Sequence, residues 1–168
     1  FAFSNDSTPE VTQNTLSQFK SNGTTRIPTG EWTNENRVVL KLKVTDPDYN
    51  DILYPQVEVK LTTEAFDGEG LTTGLRVNWV RGTTPGGVVK VEGLTSSPLG
   101  YHWRARVKDQ AEVASSWESF GANAETAIDF GYENSLPQVT VLTPTLSQKL
   151  YGGNTFEVMW IATEEGGS

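Results

Sequence analysis

The segment DPDYND places Asp46, Asp48 and Asn50 at alternate positions, with Asp51 next in line. Carboxylate and amide oxygens spaced in this way are hard donors, and the pattern matches the opening of a calcium loop. Two positions depart from it. The sixth residue, where such a loop wants a glycine, is Asp51, and the twelfth, where it wants a bidentate glutamate, is Val57. The competing expectation is an acidic turn between two strands, its side chains bonded to nearby backbone amides. Asp46, Asp48, Asn50 and Asp51 are therefore the candidate metal ligands, with calcium the candidate ion and no other cofactor expected. Asp67 and Glu69 form a second acidic turn, which meets the first only if both loops share one end of the domain.

His102 is the single imidazole in the chain, so a Ser-His-Asp arrangement would have to use it. In the run YHWRARVK, Tyr101, Trp103, Ala105 and Val107 fall on one face, and His102, Arg104, Arg106 and Lys108 on the other. Parity thus puts His102 on a solvated, basic face, and no catalytic residue is expected. Glu64, Asp67, Glu69, Glu164 and Glu165 are carboxylates without a recognisable glycosidase context and read as solubility charges. The basic stripe is expected to pair across strands with Glu58 or Glu118. Tyr49, Tyr54 and Trp79 are candidates for an aromatic platform on a sugar ring, although Trp79 keeps register with Leu75 and Val77 and so reads better as core. Asn5-Asp6-Ser7 and Asn22-Gly23-Thr24 match the glycosylation acceptor pattern.

Composition removes several classes of function. The absence of cysteine excludes disulfide scaffolds, thiolate metal sites and thiol chemistry. A net charge of −8 and an isoelectric point near 4.6 argue against nucleic acid and anionic membrane surfaces as partners. No apolar run approaches the ~20 residues of a membrane span. The chain opens at Phe1 without a basic or long apolar leader, as expected of a processed or excised chain. An acidic balance rich in Thr, Ser, Gly and Asn, together with the lack of cysteine, fits an extracellular or cell-surface setting.

The elements that must position these residues are strands. Period-two alternation runs through 38–44 (VVLKLKV), 56–61 (QVEVKL), 75–81 (LRVNWVR), 88–94 (VVKVEGL) and 101–108. Turn chemistry separates them at 46–51, 67–70 (DGEG), 83–87 (TTPGG) and 96–100 (SSPLG). Short alternating strands between such turns imply an all-β fold, an antiparallel β-sandwich by default, with little helix. GYENSLP at 131–137 breaks the pattern as a linker, and alternation restarts at 139–144 and 155–163.

From Val88 to Phe120 the chain resembles the second half of a fibronectin type III domain. The residues that carry the likeness are Gly93-Leu94, Pro98-Leu99-Gly100, then Tyr101, Trp103, Ala105 and Val107, and Ser116-Trp117 leading to Phe120. Residues 16–66 are similar to the first half of bacterial surface versions of that fold. The resemblance covers about residues 9–130, after an N-terminal extension at 1–8, and 138–168 resembles the first strands of a second module. It implies that Tyr101 buries its ring at a corner and returns its hydroxyl to backbone upstream. The first core strand lacks the tryptophan that many such modules carry, and Trp32 is expected to fill that volume.

These readings converge on a non-enzymatic structural or adhesive module of a surface protein or filament. Its expected partners are other copies of itself or neighbouring modules, joined by module contacts or strand addition, with Phe1–Phe3 as a candidate donor strand. The alternative is an accessory module of a secreted hydrolase that binds polysaccharide.

Overall fold

The computed structural model describes residues 7–48, 50–121, 123–134, 138–143 and 158–163. The candidate donor strand at 1–3, Asn5-Asp6 and Tyr49 lie outside them. Every regular element among the described residues is a strand, so the fold is all-β. The chain divides into two compact units, Phe1–Glu133 and Asn134–Ser168.

The first unit contains two sheets. In one, β4 (Arg37–Thr45) is the central strand. It pairs antiparallel with β1 (Glu10–Val11) at one end, with β2 (Ser17–Lys20) at the other, and with β8 (Gly86–Glu92) along Arg37–Lys43. In the other, β5 (Ile52–Leu61) pairs antiparallel with β9 (Ser97–Lys108) from Tyr54↔Lys108 to Leu61↔Tyr101. Short strands β6 (Thr72–Thr73) and β7 (Val77–Asn78) flank β5, and β10 (Glu118–Ser119) flanks β9. β11 (Phe130–Tyr132) lies between β9, to which it runs antiparallel, and β3 (Glu31–Thr33), to which it runs parallel.

Alternation has its expected effect in the long strands. Val38, Leu40, Leu42 and Val44 of β4 are buried, as are Tyr101, Trp103, Ala105 and Val107 of β9. With Leu53 and Val57 of β5, Val89 and Val91 of β8, and Phe130 and Tyr132 of β11, they form one apolar cluster drawn from both sheets. Hydrophobic burial on this scale is the main force holding the unit together. Gln18 of β2 crosses that core as a polar strut. Its amide donates to the carbonyls of Asp129 and Pro28, and its oxygen accepts from the Trp103 indole N–H at 3.0 Å. Every polar atom of that buried side chain is thus satisfied through groups outside its own sheet.

The Tyr101 hydroxyl donates to the carbonyl of Thr95 at 2.6 Å and accepts from its amide at 3.0 Å, so the phenol is returned to backbone upstream as expected. Three other expectations are corrected. Leu75, Val77 and Trp79 do not share a face: Leu75 is 70% exposed while Val77 and Trp79 are buried. The cause is a break between β6 and β7, both of which pair with β5. The Gly74 amide donates to Pro55 in one sheet and the next amide, of Leu75, donates to Val88 in the other. Trp32 does not fill core volume. It is 37% exposed and lies against Gly131, while Trp103 occupies the interior. Finally, Gly131 and Tyr132, expected to begin a linker, lie in β11.

The second unit is described as one antiparallel pair, β12 (Gln138–Thr143) and β13 (Met159–Thr163).

Candidate functional site

β4 and β5 belong to different sheets, and the six residues that join them, Asp46 to Asp51, form an acidic corner. Asp46 Oδ1 accepts from the Asp48 amide at 2.8 Å, the hydrogen bond of an Asx turn. The Asp48 carboxylate accepts from the amide and hydroxyl of Ser7. Asp51 Oδ1 accepts from the Gln110 amide at 2.8 Å, and its carbonyl accepts from the Trp79 amide. One carboxylate oxygen from each of Asp46, Asp48 and Asp51 lies within 4.8 Å of the other two. Three of the four expected ligands therefore converge. Asn50 is exposed and turns the chain with φ of 61°, in the left-handed region that asparagine tolerates.

A fourth carboxylate was not expected. The β5–β9 register brings the turn after Lys108 beside the start of β5, and this turn carries Asp109. Asp109 is fully buried. Its Oδ1 accepts from the amides of Ala111 and Val113, at 2.8 and 2.9 Å, which closes the turn. The signal in the sequence was an aspartate at a strand end, meaningful only once the pairing register is known.

Asp46 and Asp51 are 3% and 7% exposed. Loss of water pushes both carboxyls above the usual carboxylate range, and the neighbouring charges act in the same direction: Asp51, Asp48 and Asp109 on Asp46, and Asp48 and Asp109 on Asp51. Among the described residues, no ion pair involves any of these four aspartates. The second acidic turn stands apart: Asp67 pairs with Lys60 at 3.0 Å, and the amides of Asp67 and Gly68 cap Glu58.

His102 is on the face of β9 opposite the core, as parity requires, but that face is not solvated there. The imidazole is 3% exposed because the chain after β5 folds over it. Phe66 stacks on the ring at 4.1 Å between centroids, and Nε2 bonds to the Glu64 carbonyl at 2.9 Å. In the same cleft Ser119 Oγ donates to Glu125 at 2.6 Å, while His102 Nδ1 is 3.6 Å from the other Glu125 oxygen. The carboxylate stands between hydroxyl and imidazole, so the hydroxyl bonds to Glu125 and not to His102, which is not the Ser-His-Asp order of a nucleophilic triad. The Arg104 guanidinium lies over the rings of Phe66 and Trp117, and that of Arg106 over Trp117. These contacts brace the outer face of the sheet.

In the second unit, Leu142, Val158, Met159, Trp160 and Ile161 are all exposed. Trp160 and Ile161 are consecutive in β13, so they project from opposite faces of the strand pair. Comparison of the chain with protein-family models, with curated proteins and with solved structures finds no match in any of the three.

Proposed function

We propose that this chain is a non-enzymatic structural module of an extracellular surface protein or filament, built on a β-sandwich of the fibronectin type III kind. Support for the sandwich comes from two sheets that share one apolar cluster and from the Tyr101 hydroxyl tied back to Thr95. Support for a structural role comes from the side chains that would otherwise do chemistry. The His102 ring is stacked under Phe66 and bonded to main chain, and Arg104 is held between a carboxylate and two aromatic rings.

The observation that carries assembly is the pair of large apolar side chains on opposite faces of β13. Trp160 is 62% exposed and Ile161 50%. A two-stranded ribbon is at best marginally stable alone in water, and apolar groups on both faces call for cover on both. Strands from a further copy of the chain supply that cover by adding to the described pair.

Light scattering on the 168-residue chain across a concentration series tests this. Self-association that Trp160→Glu abolishes, without a change in the melting of the first unit, is the expected result. A wild-type chain that stays monomeric at high micromolar concentration sinks assembly between copies. Retention on insoluble polysaccharide would then favour an accessory carbohydrate-binding module.

A further inference from the structure

The acidic corner has an imbalance that its own hydrogen bonds do not resolve. Asp46 and Asp109 each use Oδ1 to close a turn. Each keeps a second oxygen, Oδ2, that is buried and has no hydrogen-bond partner in the protein. Asp46 is 3% exposed and Asp109 0%. A buried carboxylate oxygen without a donor costs free energy, and like charges beside it raise the cost. Here the oxygens of Asp46, Asp48 and Asp51 converge, Asp109 repels both Asp46 and Asp51, and none of the four has a lysine or arginine partner among the described residues.

An Asx turn accounts for one oxygen of Asp46 and leaves the other unexplained. A cation answers both the missing donor and the missing counter-charge. The donors are all hard oxygens, with neither imidazole nor thiolate among them, which selects against zinc and copper. The three carboxylates all come from the one turn at 46–51, and each is already fixed by a separate hydrogen bond, to Ser7, to the Asp48 amide or to Gln110. Such a set suits the flexible coordination of calcium better than the strict octahedron of magnesium.

We propose that Asp46, Asp48 and Asp51, with Asp109 beside them, hold one calcium ion, its remaining ligand positions filled by water. The three ligands lie in the corner that joins β4 of one sheet to β5 of the other, so the ion braces the passage between the sheets at one end of the first unit. This inference is independent of whether the chain assembles.

The test is thermal melting of the intact chain in chelator and in about 10 mM calcium chloride, a concentration above the weak affinities of extracellular calcium modules. A rise of about 5 °C or more is expected at saturation. No rise, or a rise that sodium chloride reproduces at equal ionic strength, overturns the proposal. Asp46→Asn separates binding from damage. Because it removes a repelled charge, the variant melts above the wild type in chelator and loses the response to calcium. A variant that melts lower in chelator and keeps the full calcium shift also overturns it. Terbium provides a readout independent of stability. The Trp79 amide bonds to Asp51, so excitation of tryptophan should sensitise bound terbium, and calcium should quench the emission by displacement. Sensitised emission that persists unchanged in Asp46→Asn counts against the site.

Discussion

Glu58 and Arg104 face each other in the β5–β9 ladder, and both guanidinium contacts, at 2.7 and 2.9 Å, go to one oxygen of a carboxylate with no solvent exposure. The other oxygen of Glu58 accepts from the amides of Asp67 and Gly68. A single buried charge thereby fastens the 67–70 turn to the sheet. Glu58→Ala leaves two amides and a guanidinium without their acceptor and should cost about 3–5 kcal/mol. Glu58→Gln keeps an acceptor for the amides and should cost clearly less. Urea denaturation of the two variants measures the difference, and equal losses would show that the charge rather than the acceptor is what matters.

Asp129 supplies a pH dependence. Burial pushes its carboxyl up to about 6, against the opposing effect of hydrogen bonds from Asn123 and the Trp103 amide. An acid whose pKa is higher in the folded chain holds its proton more tightly there. Stability therefore falls as pH rises from the unfolded value near 3.8 through about 6, and this contribution is flat above that. The effect appears as a difference between wild type and Asp129→Asn. Relative to the variant, the wild type should lose melting temperature between pH 4 and pH 6.5, a window set by the two pKa values. Parallel melting curves through that window would contradict it.

Tyr101→Phe removes one donor and one acceptor from the Thr95 backbone while leaving the buried ring in place. Thr95 is exposed, so water replaces part of what is lost, and the cost should be about 1 kcal/mol. Amide exchange at Thr95 should be slow in the wild type and fast in the variant, while that of Trp103 should stay slow in both.

Gly74 stands between β6 and β7, against β8 of the other sheet. A β-carbon there would lie 2.3 Å from the Val88 carbonyl oxygen, a main-chain atom fixed in β8. Gly74→Ala should destabilise by about 1–3 kcal/mol or more. Gly131→Ala differs in kind, since its β-carbon would meet the half-exposed ring of Trp32 at 2.1 Å. Trp32→Ala should recover most of the loss in the double variant, a coupling that equilibrium unfolding of the four-member cycle measures. Gly74→Ala should gain nothing from the same change.

Much of the interior was legible in the chain. Strict alternation in VVLKLKV and YHWRARVK identified the buried face of β4 and β9, because one side chain in two must leave water. DPDYND pointed to three of the four aspartates that gather. What escaped was whatever depends on a second layer or on register. Parity says which face His102 and Glu58 occupy, but not that residues 62–68 fold across that face and bury both. Asp109 reaches the corner only through the pairing of Tyr54 with Lys108, a relation across more than fifty residues that no local spacing encodes. Leu75 escaped because pairing with β5 is interrupted between β6 and β7, where the Leu75 amide bonds to Val88 of the other sheet.

The place of β11 has a consequence for tension. The strand is the last of the first unit, and the chain leaves it at Glu133, which is bonded through its amide to the Thr33 carbonyl. On one side it is hydrogen-bonded to β3, on the other to β9. A pull on the outgoing chain acts along the strand and loads the bonds on both flanks in shear at once, rather than peeling them one after another. Extraction must also drag Gly131 from beneath the Trp32 ring and Phe130 out of the core.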